Sequence, residues 1–275
     1  MDAELMDVAG PNLKVISNYA VGFDNIDVEE ATRRGIAVGN TPGVLTDTTA
    51  DLAFALLMAA SRRIVEGDKY VRAGRWKTWG PRLLLGPDVS GATLGILGFG
   101  RIGKAMVNRA RGFDMRVIYH DPVCKFDPYA LETGVECVDF DTLLEESDFL
   151  TIHTPLTPDT RHMIDAEALR KMKRTAIVIN TARGPIVDPD ALYEALKNKV
   201  IAYAALDVTE PEPLAGDHRL LTLDNIIVVP HIGSASVATR DKMAEMAAQN
   251  LIAGVRGEPL PNAVNPEVFV ERERT

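Results

Sequence analysis

Three side chains with complementary chemistry lie in separate loops of the 275-residue chain: Arg183 in "NTARGPIVD", Glu212 in "DVTEPEPL" and His231 in "VVPHIGSA". A guanidinium grips a carboxylate through two parallel hydrogen bonds, which fixes the orientation of a small 2-oxo or 2-hydroxy acid. An imidazole can protonate a carbonyl oxygen, or remove the hydroxyl proton in the reverse direction. A carboxylate beside that imidazole stabilises its charged, proton-donating form. Taken singly, each residue has a plainer explanation. An arginine before Gly-Pro can simply hold a turn, a glutamate among prolines can be solvated, and a histidine can cap a strand end.

Their common position is what favours the chemical reading. Apolar runs recur along the chain as "ATLGILGF" (92–99), "MRVIYH" (115–120), "DFLTIHT" (148–154), "AIVIN" (176–180), "IAYAALDV" (201–208) and "NIIVVPH" (225–231), with amphipathic helical stretches between them. Strands without polar alternation, separated by helices, predict a doubly wound parallel sheet covered on both faces. In such α/β sheets ligands sit beyond the carboxyl ends of the strands. Arg183, Glu212 and His231 follow three of those ends, so they are expected on one rim.

The same rim carries a dinucleotide signature. Gly98-Phe99-Gly100-Arg101-Ile102-Gly103 fits G-x-G-x-x-G, follows a strand and opens a helix. A second strand ends at Asp121, 18 residues beyond Gly103. The glycines allow a tight turn and a close approach of backbone to a pyrophosphate lying on the helix N-terminus. Asp121 can accept from both ribose hydroxyls and would repel a 2′-phosphate, so NAD is expected over NADP, with NADP still possible. An ordinary strand–helix turn followed by an Asp-Pro bend is the plainer alternative.

Composition excludes other classes. The chain carries 30 Lys+Arg against 39 Asp+Glu, a formal net charge of -9, which disfavours nucleic acid and anionic membranes as partners. No apolar run approaches the length of a membrane span, and "MDAELMDVAG" has neither the basic segment nor the apolar core of a signal peptide. Cys124 and Cys137 form no CxxC and no Cys/His cluster, so they read as spare packing thiols in a reducing compartment, and no metal is expected. These features together predict a soluble, cytoplasmic protein.

Two long helices, 46–64 and 234–257, are expected to flank the sheet unit, the second stopping at Gly257 with Pro259 beyond. Outside them, the front segment has its own strand–turn–helix–strand pattern. The expected organisation is therefore 1–44 as the N-terminal part of a substrate domain, 45–236 as the dinucleotide-binding domain, and 237–275 as a return helix and tail.

"GFGRIG", "NTARGPIVD", "DVTEPEPL" and "PHIGSA" in this order resemble the D-isomer-specific 2-hydroxyacid dehydrogenases. "GNTPGVLTDTTADLAFALLMAASRR", "GRWKTWGP" and "NLIAGVRGEPLPNAVNP" are more narrowly similar to their glyoxylate/hydroxypyruvate reductase branch. The resemblance implies a Rossmann-type domain and a flavodoxin-like substrate domain split between the chain ends. It implies Arg183 as substrate clamp, His231 as proton donor and Glu212 as its partner, with backbone N–H groups around Val21-Gly22 holding the substrate carboxylate. Gly98, Gly100, Arg101, Ile102, Gly103, Asp121, Thr154, Pro155, Thr181, Ala182, Arg183, Asp207, His231 and Gly233 match cofactor-contacting positions. The branch forms homodimers in which an aromatic residue of the partner's arm shapes the pocket. Trp79 fits that position in an arm around Trp76 and Trp79, although both tryptophans could equally pack in a core.

Two departures from the family pattern stand out. Relatives favouring NADPH often carry Ser-Arg or Asn-Arg after the second cofactor strand, whereas this chain has "YHDP" with Lys125 as the nearest cation. The front domain also begins at what resembles its third strand–helix unit, so a shortening by roughly fifty to sixty residues is expected to expose an unpaired sheet edge. Substrates of D-lactate or phosphoglycerate type remain open, as does a binding protein that senses NADH without turnover. Glu212 argues against the formate dehydrogenases, which place glutamine there.

Overall fold

The computed structural model describes residues 1–122 and 127–272. The front segment forms α1 (Ala3–Ala9), β1 (Val15–Ser17), α2 (Val28–Arg33) and β2 (Ala37–Gly39). Asp2 and Asp27 start the two helices by accepting from the N–H groups of Leu5 and Glu30, a side-chain cap for otherwise orphaned donors. β1 and β2 pair in parallel, with Val15 opposite Ala37.

α3 (Thr46–Ser61) and α4 (Ile64–Arg72) replace the single helix expected over 46–64. The break is at Arg63, whose backbone is left-handed with φ 51°. Its guanidinium holds Glu66 at 2.8 and 2.5 Å and donates to the Leu85 carbonyl at 3.3 Å. The bend itself carries no glycine or proline, though Gly86 packs against it, where a Cβ would stand 1.7 Å from the Ser61 carbonyl oxygen.

Next come β3 (Thr93–Leu97), α5 (Arg101–Arg111), β4 (Arg116–His120), α6 (Pro128–Thr133), β5 (Glu136–Cys137), α7 (Phe140–Glu146), β6 (Phe149–Ile152), α8 (Ala166–Lys171), β7 (Ile177–Asn180), α9 (Pro189–Lys197), β8 (Tyr203–Leu206) and β9 (Ile226–Val228). The seven strands form one parallel sheet in the order β5-β4-β3-β6-β7-β8-β9. Alternate residues of the inner strands serve opposite faces. Phe149, Ile177 and Ile179 pack with Leu57 and Met106 on one side, while Leu150, Val178 and Leu206 pack with Leu143 and Leu192 on the other. Burial of each such side chain contributes about 1.5–3 kcal/mol, which explains why these strands read as unbroken apolar runs. The order changes direction at β3, the strand that delivers Gly98.

The chain closes with α10 (Val237–Arg256) and α11 (Glu267–Arg272). Ser236 caps α10 by accepting from the Thr239 N–H, and Gly257 ends it in a left-handed conformation with φ 78°. α10 lies against β1 so closely that a Cβ on Gly254 would stand 2.5 Å from Val15 Cβ. Asn250 and Asn265 bond to backbone there: Asn250 Nδ2 donates to the Asn40 carbonyl, and Asn265 Oδ1 accepts from the Val38 N–H.

The chain divides into two compact units, Met1–Thr48 with Ser234–Thr275, and Thr49–Gly233. The reading of the cysteines as spare thiols is corrected, because Cys137 is disulfide-bonded. It sits on the exposed two-residue edge strand β5, and thiol pairing depends on a chain path that residue spacing does not reveal. The reducing compartment inferred from free thiols loses its basis. Cys124 and Lys125 lie outside the described residues.

Candidate active site

A chain of backbone bonds lines up the ends of β7, β8 and β9. The Asp207 N–H donates to the Asn180 carbonyl at 2.8 Å, and the His231 N–H donates to the Asp207 carbonyl at 2.9 Å. Both carboxylate oxygens of Asp207 are taken by the next turn, accepting from the N–H groups of Ile232 at 2.6 Å and Gly233 at 2.7 Å. Burial pushes the Asp207 carboxyl up, against the opposing pull of these two bonds. A Cβ on Gly233 would stand 3.0 Å from Asp207 Oδ2. Asp207 therefore fixes the turn that presents His231, itself left-handed at φ 52°.

His231 Nδ1 lies 2.6 Å from Glu212 Oε1. A carboxylate only accepts, so Nδ1 carries the proton and Nε2 is the nitrogen left for exchange with a substrate oxygen. Both side chains are about half exposed, at 50% and 41%, which leaves the imidazole reachable. Arg183 follows β7 in an extended conformation, just before the Gly184–Ile186 3-10 turn. Buried Asn180 frames it on both sides: its Oδ1 accepts from the Ala182 N–H and its Nδ2 donates to the Arg183 carbonyl. Arg183 Nη1 donates to the Ala182 carbonyl at 2.7 Å. Arg183, Glu212 and His231 thus leave three adjacent parallel strands at the same end.

The neighbouring strand ends fit a dinucleotide. Gly98 is left-handed, φ 93°, and a Cβ there would stand 2.5 Å from the Thr154 nitrogen. At Gly103 a Cβ would stand 2.3 Å from the Gly98 carbonyl, which requires glycine where α5 meets the strand. Gly100, by contrast, faces open space, where an approaching phosphate would need room. Asp121 Oδ2 accepts from the Phe99 N–H at 2.9 Å, tying the end of β4 to the glycine turn. Two buried polar atoms at the ends of β6 and β7, His153 Nδ1 and Thr181 Oγ1, make no hydrogen bond within the protein. Groups of this kind are normally satisfied by water or ligand. Arg101 and Ile102 start α5, and Thr154 and Pro155 follow β6 on the same rim.

Comparison with known proteins identifies the family. A family model described as "D-isomer specific 2-hydroxyacid dehydrogenase, NAD binding domain" matches residues 54–233. The chain belongs to that family. A glyoxylate reductase of Korarchaeum cryptofilum is 59% identical to this dehydrogenase over 273 residues, covering 99% of this chain and 82% of that relative. One from Thermococcus litoralis is 55% identical, with 98% and 82% covered. Among solved structures, a protein of Thermus thermophilus superposes with TM-score 0.89 at 51% identity, covering 96% of this chain and 82% of that one. The NADPH-dependent glyoxylate/hydroxypyruvate reductase of Sinorhizobium meliloti, solved with NADP and malonate, gives 0.87 at 35% identity, with 98% and 82% covered.

In the front unit of this dehydrogenase, the Val21-Gly22 loop is held by its carbonyls. The Ala20 carbonyl accepts from the Thr41 N–H, the Val21 carbonyl from Asn40 Nδ2, and the Gly22 carbonyl from Asn18 Nδ2. Because a trans peptide directs N–H opposite to C=O, the N–H groups of Val21 and Gly22 turn away from those partners. Trp76 and Trp79 are 59% and 78% exposed within the chain, so they do not pack in its core. Several residues escaped the sequence reading. Asn180 is hidden in the apolar run "AIVIN". His162 reads as a loop residue, yet its ring contacts Glu210. No helix among the described residues is long and apolar enough to cross a membrane.

Proposed function

We propose that this dehydrogenase reduces glyoxylate and hydroxypyruvate to their 2-hydroxy acids with NADH. The observation that carries the reading is the His231–Glu212 pair on the rim shared with Arg183, in a chain 59% identical to a protein named glyoxylate reductase. Arg183 holds the substrate carboxylate in a two-pronged grip. His231 gives the proton on Nε2 to the carbonyl oxygen as that oxygen gains negative charge. Glu212 keeps the imidazole oriented and stabilises its charged form. The bound dinucleotide supplies the hydride. Gly98, Gly100, Arg101, Ile102 and Gly103 would hold its phosphates and Asp121 its ribose, with Thr154, Pro155, Thr181, Ala182, Asp207 and Gly233 as further cofactor contacts.

Asp121 favours NADH, since a carboxylate at the end of β4 repels a 2′-phosphate. The exposed Trp76 and Trp79 are the apolar part of an arm through which two copies associate as a homodimer, with Trp79 reaching the partner's pocket. A panel of glyoxylate, hydroxypyruvate and pyruvate, each with NADH and NADPH, tests the reading. The expected result is turnover on the first two with NADH preferred. Absence of turnover on every acid overturns it.

A further inference from the structure

Outside the residues assigned so far, one polar cluster joins the two loops that carry the chemistry. His162 Nε2 lies 2.6 Å from Glu210 Oε2, and Arg161 Nη2 pairs with the other oxygen, Glu210 Oε1. Glu210 stands two residues before Glu212. The backbone of the same histidine reaches the other loop: the His162 N–H donates to the Pro185 carbonyl at 2.7 Å, two residues beyond Arg183. The Ile164 N–H donates to the Ile186 carbonyl at 3.0 Å and extends this seam. Between the two attachments the loops touch directly, because a Cβ on Gly184 would stand 2.0 Å from the Thr209 carbonyl.

His162 is left-handed at φ 51°, a conformation that costs a non-glycine residue free energy and persists only where the surroundings hold it. Here a backbone bond on one side and a carboxylate on the other do so. Burial pushes the Glu210 carboxyl up, but the bonds from His162 and Arg161 outweigh it and hold the group below the usual glutamate range. Glu210 is thus an ionised acceptor rather than a solvated loop acid.

We propose that His162 and Glu210 are positioning residues which staple the Arg183 turn to the Glu212 loop, fixing the distance between the substrate clamp and the proton-donating pair. The inference rests on the functional roles proposed above for Arg183, Glu212 and His231. Neither His162 nor Glu210 is assigned a contact with substrate or cofactor. Their effect is geometric: releasing the staple lets guanidinium and imidazole drift apart while leaving each chemically intact. A misplacement of about 1 Å in such a site can lower turnover on the order of 100-fold.

The test is a cycle of His162→Ala, Glu210→Ala and the double variant in the 275-residue chain. His162→Gln, which keeps a donor, serves as the rescue, and Arg161→Ala serves as the exposed-pair control. The readouts are kcat and KM for glyoxylate, Kd for NADH, and hydrogen exchange of residues 181–185 and 209–214. We expect kcat/KM to fall roughly 10- to 100-fold in each single alanine variant, with NADH affinity kept. The double variant should be no worse than the poorer single, because the two act as one contact. His162→Gln should recover most of the loss, and Arg161→Ala should be near wild type. Folded variants with unchanged kcat and KM, or losses that simply add in the double variant, would overturn the staple. Hydrogen exchange reads the loops without turnover. A wild-type chain inactive on every 2-oxo acid defeats the functional reading, whereas unchanged exchange at both loops defeats the staple.

Discussion

Nδ1 of His231 and Oε1 of Glu212 stand 2.6 Å apart although 19 residues separate them in the chain. That contact selects the tautomer with the proton on Nδ1 and leaves Nε2 for the proton transfer proposed above. Glu212→Gln keeps the side-chain length and an accepting oxygen but removes the negative charge. We expect kcat to fall by roughly 10²-fold or more in the reduction direction, with NADH affinity little changed. Steady-state rates combined with fluorescence titration of NADH check this, and a kcat close to wild type would remove Glu212 from the mechanism.

Arg183 is placed by Asn180 through two bonds to its own turn. Arg183→Lys retains the charge and loses the fork. Loss of one charged hydrogen bond, worth about 1.5–3 kcal/mol, should raise the glyoxylate KM about tenfold or more with a smaller effect on kcat. An unchanged KM would show that the carboxylate is held by other groups.

Asp121, proposed above to hold the ribose, accepts from the Phe99 N–H of the glycine turn. Asp121→Ala should raise the ratio of kcat/KM with NADPH to that with NADH. The absolute NADH efficiency should fall at the same time, because the turn loses an anchor. A ratio equal to wild type would separate cofactor choice from this carboxylate.

The His153 ring is largely shielded, with its Nδ1 buried and without a hydrogen-bond partner, and burial lowers its pKa to about 3. With the folded value far below the unfolded one near 6.5, the unfolded chain binds an extra proton between these pH values. Stability from this site is complete above about pH 6.5 and declines as pH falls toward about 3, with a limiting slope of about 1.4 kcal/mol per pH unit. Urea unfolding between about pH 7 and about pH 5 should show a steeper loss for wild type than for His153→Gln. Parallel slopes would contradict the buried neutral imidazole.

Much of this architecture was legible in the sequence because β3, β6, β7 and β8 are covered on both faces and so are written as apolar runs. β5 was not legible: Glu136 and Cys137 are exposed, and the strand is two residues long at an edge. The break between α3 and α4 carries no glycine or proline and depends on Arg63 meeting Glu66 and Leu85 in space. Arg183, Glu212 and His231 were readable because each follows a recognisable strand end. His162 and Glu210, 48 residues apart in two polar loops, carry no such signal. Their association exists only once β6 and β8 lie on either side of β7.

The most direct test is the rate of NADH oxidation by glyoxylate, compared between the unaltered chain and His231→Ala at saturating NADH. The account predicts clear turnover for the first and a loss of roughly 10²- to 10⁴-fold for the second, with NADH binding retained in both. A His231→Ala variant that keeps most of its activity would contradict the assignment of proton transfer to this imidazole.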